Sequence, residues 1–151
     1  MAQSLSQVLL HVVFSVKNRE PLILDSCREA LHSYIAGSCR EISGGDAYRV
    51  GGTEDHVHIS CTLPRSIAIA ELVRKIKISS SAWFKTHPGV PRNFAWQTGY
   101  GAFSLGQSQL PALIRYIEGQ REHHRVQSFQ EEYLEFLKRY KINYDERYLW
   151  D

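Results

Sequence analysis

Apolar residues crowd the stretch "VLLHVVFSV", residues 8–16, which is rich in β-branched side chains and closed by the polar "KNRE". Such a run predicts a first strand, largely buried. From Asp25 to about Arg40 the period changes, and Leu24, Ala30, Leu31, Tyr34 and Ile35 fall on one face of a helix that Asp25 is placed to cap. "ISGGD" reads as a turn, "AYRVGG" as a short strand, "TED" as a tight connection and "HVHISCTLP" as a strand ended by Pro64. Those two strands form a hairpin.

Helical spacing returns from Ile67 to about Lys85, where Leu72, Val73, Ile76, Ala82, Trp83 and Phe84 supply an apolar stripe. Arg74, Lys75, Lys77 and Lys85 give the same segment a basic face. After the loop "HPGVPRN" comes a last strand, "FAWQTGYGAFSLG", weakened by glycine at its start. A third helix, "SQLPALIRYIEGQREHH", begins near Ser108, with Pro111 in its first turn, where a missing N–H is tolerated. "FQEEYLEFLKRY" is a last amphipathic helix, followed by the aromatic tail "INYDERYLWD".

The first six elements match the split βαβ, ferredoxin-like plan that RNA-recognition modules share. It is an α+β fold, a four-stranded antiparallel sheet with helices on one face, here extended by a C-terminal helix and tail. No linker or internal repeat divides residues 1–151, which read as one domain.

Composition narrows the classes. With 43% hydrophobic and 23% charged residues the chain is neither disordered nor of low complexity. A formal charge of +2 neither argues for nor against nucleic acid, because cations gathered on one face do not show in the sum. Cys27, Cys39 and Cys61 are odd in number and lack CxxC spacing, which predicts reduced core thiols and a cytoplasmic protein. His11 and Ser15 interrupt the N-terminal apolar run, no basic segment precedes it, and it is too short to span a bilayer.

Alternation along the hairpin's second strand sends His56, His58 and Ser60 to one face and Val57, Ile59 and Cys61 to the other. The two imidazoles stand about 7 Å apart at the backbone, within reach of one divalent ion. The ordinary alternative is two histidines on a solvated strand face, and the spacing alone does not choose. On the third helix, Tyr116 and Gln120 are four residues apart and share a face, with His123 a further turn along. Tyrosines at such positions commonly serve packing. A helix following the last strand of this plan can also cross the sheet and bring a phenol and an amide oxygen to the histidine pair.

"GGTEDHVHI", then "WQTGYGAFSLG" and "RYIEGQREHH", together resemble the single-tyrosine, IS200-like transposases of the HUH superfamily, which move small insertion sequences as single-stranded DNA. His56-Val57-His58 supplies the histidine, bulky hydrophobe, histidine motif, and the similarity runs along nearly the whole chain. The resemblance implies that His56 and His58 bind a metal, that Gln120 completes the site, and that Tyr116 is the nucleophile that takes a DNA 5′-phosphate. It further implies Mg²⁺ or Mn²⁺ as cofactor, hairpin-ended single-stranded DNA as partner, and a homodimer in which one subunit's tyrosine helix serves the other's histidines. His123 and His124 take no role from it and read as an exposed helix end.

Arg74, Lys75, Lys77 and Lys85 are the expected DNA-phosphate contacts, with Trp83, Trp96 and Tyr100 available to stack on unpaired bases, although Trp83 also suits the core. Three rival functions keep parts of this reading. One is a host-domesticated tyrosine enzyme that processes repeated palindromes, another a hydrolytic metal nuclease, and the third a non-catalytic binder of single-stranded nucleic acid. The bacterial or archaeal nucleoid is the expected place of action.

Overall fold

A computed structural model of the chain describes residues 2–123 and 127–151. Four strands, β1 (Leu9–Ser15), β2 (Ala47–Gly52), β3 (His56–Thr62) and β4 (Gly101–Leu105), form one sheet in the order β2-β3-β1-β4. Every neighbouring pair is antiparallel, as the ferredoxin-like plan requires. The register sets Val13 opposite His58 and His11 opposite Ser60 on one side of β3, and Gly51 opposite His58 on the other.

Two helices, α1 (Asp25–Glu41) and α2 (Ile69–Phe84), cover one face of the sheet. Val12 and Phe14 of β1 and Val57, Ile59 and Cys61 of β3 meet Leu31 and Ile35 of α1 and Leu72, Ile76 and Phe84 of α2 there. Each such side chain, fully withdrawn from water, contributes roughly 1.5–3 kcal/mol to folding before entropy is counted. This is the main core, and the three free cysteines lie buried in it.

The other face belongs to the rest of the chain. Here α3 (Leu110–Glu118), α4 (Gln120–His123) and α5 (Phe129–Arg139) lie over the side chains that β1 and β3 turn away from the main core. Val13 and Phe103 pack with Phe129, Tyr133, Phe136 and Leu137 in a second, smaller cluster. Because both faces are covered, β1 and β3 are buried at every position instead of at alternate ones.

Three local expectations change. Asp25 is the first residue of α1 rather than its cap, and it pairs with Arg28 one turn on, at 2.8 Å. The last strand is limited to Gly101–Leu105, with only an isolated bridge between Val16 and Trp96 before it. The backbone of residues 97–99 is engaged elsewhere: the carbonyls of Gln97, Thr98 and Gly99 accept from the Lys77 ammonium, and the Gly99 N–H donates to the Asp151 carbonyl. The third helix starts as a 3-10 turn at Gln107–Gln109, carries Pro111 in its first turn, and is interrupted at Gly119. The end expected at His123 and His124 lies outside the described side chains.

Candidate active site

Three separate elements build the site. β3 supplies His56 and His58, the junction of α3 and α4 supplies Tyr116 and Gln120, and α5 supplies Glu132. What seats α3 against the sheet is the absence of a side chain at Gly51. A Cβ there would stand 2.6 Å from Ile117 Cγ2 and 2.8 Å from the Ile117 carbonyl oxygen. Only glycine permits that approach.

Both histidines turn Nε2 towards one centre. His56 is held from behind by Asp55 Oδ1 at 2.7 Å and Thr53 Oγ1 at 3.0 Å, both on Nδ1. His58 is held by His11, whose Nε2 lies 2.7 Å from His58 Nδ1 and whose ring stacks on it. Such rear contacts fix a ring's orientation and its tautomer, and they leave the front nitrogen as a ligand or acceptor. Burial, and then the neighbouring His58, hold His11 well below the ordinary imidazole range, so it serves as a neutral partner.

In front of those nitrogens the donors converge. Gln120 Oε1 lies 3.0 Å from His56 Nε2, and Glu132 Oε1 lies 2.9 Å from His58 Nε2 and 3.7 Å from His56 Nε2. Ligand atoms of His56, His58 and Glu132 all fall within 4.8 Å of one another, and all three residues are buried. Two imidazole nitrogens, a carboxylate oxygen and an amide oxygen at these separations fit the coordination sphere of a single divalent cation.

The Tyr116 hydroxyl donates to Glu132 Oε2, the same oxygen that accepts from Gln120 Nε2 at 3.2 Å. Its ring stands edge-on to His58, with centroids 5.7 Å apart. Burial, then the charge of Glu132 and the hydrogen bond to it, push the Tyr116 phenol well above its ordinary range, with Gln120 opposing. Tyr116 and Glu132 line a cleft of about 530 Å³ that also touches His11 and Arg139. Gln120 also lines a separate cleft of about 760 Å³ in which Arg28, Arg40, Arg49 and Arg121 alternate with Asp25, Glu29 and Glu118.

Of the residues expected from sequence, His56, His58, Tyr116 and Gln120 therefore come together. The basic residues do not join them: α2 lies across the sheet, where Arg74 and Lys75 are exposed beside Glu71, and Lys85 is exposed at the helix end. Lys77 is turned onto the three carbonyls of residues 97–99. Trp83 stacks on Tyr34, and Tyr100 is half-buried against the main core. Trp96 is buried and gives its indole N–H to Ser80 Oγ, so it is not free to stack on a base.

Two site residues went unread in the sequence. Glu132 had a signal, a carboxylate in the middle of the apolar stripe of Phe129, Tyr133, Phe136 and Leu137. His11 had a weaker one, an imidazole on the same face of a buried strand as Val13.

No curated protein matches the chain significantly in sequence. A candidate transposase from Deinococcus radiodurans R1 superposes with a TM-score of 0.60 at 17% identity, over 80% of this chain and 95% of that one. A REP-associated tyrosine transposase bound to a REP hairpin superposes with a TM-score of 0.58 at 16% identity, over 82% of this chain and 74% of that one. At these identities the likeness shows a shared fold. Residues 4–120 match the family described as "Transposase IS200 like", and the chain belongs to that family.

Proposed function

We propose that the protein cuts and rejoins single-stranded DNA through a covalent bond to Tyr116. The observation that carries this reading is the convergence of Tyr116, Gln120, His56 and His58, distant in sequence, on one buried centre. The Tyr116 oxygen attacks the phosphorus, the new bond joins it to the 5′-phosphate, and the bond to the 3′ oxygen breaks, so that this strand leaves as a 3′-hydroxyl. A second 3′-hydroxyl reverses the step and reseals DNA without a nucleotide cofactor, because the phosphotyrosine keeps the energy of the phosphodiester.

His56, His58 and Gln120 would hold Mg²⁺ or Mn²⁺, which supplies positive charge to favour the phenolate and to polarise the phosphate. The need for that charge follows from the surroundings of Tyr116, which hold its proton on. His11, Thr53 and Asp55 orient the imidazoles. Gln120 spans the centre, with its oxygen towards His56 and its nitrogen towards Glu132.

The partner is DNA with hairpin ends, a reading supported by the hairpin bound to the structural neighbour. The cleft beside Gln120 holds Arg28, Arg40, Arg49 and Arg121, each paired with a carboxylate of Asp25, Asp46 or Glu118, and DNA phosphates near the cut would take these arginines over from those acids. Arg74, Lys75 and Lys85 would grip duplex further away. Two ends need two tyrosines, and each chain brings one. A homodimer meets this with α3 seated on its own sheet, as here, or on its partner's, as the resemblance implies. No helix among the described residues is long and apolar enough to cross a membrane, and we place the protein in the cytoplasm, acting at the nucleoid.

The neighbour's name favours a second reading, processing of repeated palindromes by a domesticated enzyme with the same chemistry. One experiment tests both: protein, Mn²⁺ and labelled single-stranded DNA carrying the hairpins beside its own gene, resolved on a denaturing gel. An adduct that disappears in Tyr116→Phe and in His56→Ala is expected. Cleavage without an adduct, or cleavage that survives Tyr116→Phe, would show a hydrolase instead.

A further inference from the structure

Glu132 is a carboxylate only 2% exposed, on the apolar stripe of α5. A charge so placed must be matched, and among the described residues His58, His56, Tyr116 and Gln120, which face the metal centre, are partners of it. Its position is two-sided. Oε1 faces the two imidazole nitrogens, while Oε2 faces the phenol and the amide.

A second observation concerns His56. His56 Nε2 and Gln120 Oε1 lie 3.0 Å apart, a separation that two ligands of one cation can adopt, with Asp55 Oδ1 against the ring's other nitrogen. Glu132 Oε1 completes the same ring of donors on the His58 side.

The geometry points to Glu132 as the anionic ligand of the ion in the DNA-free protein, so that ion binding fastens α5 to the sheet. This rests on the metal site proposed above and adds to it. The two histidines and Gln120 bring no charge of their own to the ion, and a carboxylate supplies the missing negative charge. When DNA binds, a phosphate oxygen is a like-charged replacement, and Glu132 leaves with α5 to make room for it. α5 is thereby held in two ways, by Phe129, Tyr133, Phe136 and Leu137 packed on the sheet and by Glu132 on the ion.

The test is Mn²⁺ binding to the DNA-free, full-length protein, read by titration calorimetry and by the Mn²⁺-induced rise in melting temperature. Wild type should bind one Mn²⁺ per chain, and His56→Ala should lose it. Glu132→Gln, which keeps the shape and removes the charge, should bind at least 10-fold more weakly and lose most of the thermal rise. Glu132→Asp, with the charge kept on a shorter arm, should recover part of the affinity, which a purely packing role would not produce. If Glu132→Gln binds Mn²⁺ as tightly as wild type or more tightly, Glu132 is no ligand and only this inference fails. If wild type binds no Mn²⁺, the metal site fails with it.

Discussion

Gly51→Ala touches no group with a chemical role, yet it should disable the site. The added methyl would lie 2.6 Å from Ile117 Cγ2, where carbon atoms rest at about 3.5 Å or more, so α3 must withdraw from β2 by roughly 1 Å. Tyr116 and Gln120 flank Ile117 and move with it, while His58, which pairs with Gly51 across the hairpin, stays with the sheet. Overpacking of this kind costs about 1–3 kcal/mol of stability, and a displacement of about 1 Å between reacting groups lowers a rate about 100-fold. The assay is adduct formation under single-turnover conditions, with urea unfolding run beside it. A second variant, Gly51→Ala with Ile117→Ala, removes the clash with the side chain but leaves the Ile117 carbonyl 2.8 Å from the new methyl, and should recover only part of the rate. A Gly51→Ala protein that cleaves within about threefold of wild type would refute the argument that close approach at this glycine positions the tyrosine.

Other consequences can be measured separately. Ser80→Ala leaves the buried Trp96 indole N–H unmatched and should lower unfolding free energy by about 1–3 kcal/mol, with metal binding unchanged. Lys77→Met removes the ammonium that holds three carbonyls and should cost about 2 kcal/mol of stability, whereas Arg74→Ala, exposed beside Glu71, should change stability by less than about 0.5 kcal/mol. His32 is held down to about 4 by burial, and then by Arg28 and His56. Below its ordinary value of 6.5 the unfolded chain therefore takes up a proton that the folded chain refuses, so stability falls as pH drops from 6.5 to about 4, by up to about 3 kcal/mol. His32→Gln should flatten that part of the stability profile, and an unchanged slope would remove His32 as its source.

Periodicity made the sheet and its helices legible because local pattern and burial agree through the first six elements. The pattern failed at Phe94–Gly99, where Phe94 and Trp96 are buried like strand residues but the backbone that follows bonds to Lys77 and Asp151. His56, His58, Tyr116 and Gln120 were singled out by spacing together with a family resemblance, since the short motif alone fits a solvated face equally well. Glu132 was missed for a different reason. Its partners stand 74 and 16 residues away, at His58 and Tyr116, and no local pattern encodes a contact made only when α5 closes on the sheet. The basic stripe of α2 was legible as a helix face, but which side of the sheet it occupies is a property of the topology.

The sheet also divides the molecule's stability into two tiers. The large core of α1 and α2 shares no side chain with the small cluster beneath α5, so detaching α5 should break the contacts of Phe129, Tyr133, Phe136 and Leu137 without removing any from the main core. Four such side chains favour the closed state by several kcal/mol, largely offset by the entropy of ordering the helix. Amide hydrogens of α5 should therefore exchange through a sub-global opening, well before those of β1 and β3. His56 and His58 are closed to solvent in the folded state, so under the proposed function the free energy of that opening would set how often a phosphate reaches them. A substitution that strengthens the small cluster would then slow the proposed cleavage while leaving His56, His58, Tyr116 and Gln120 unchanged.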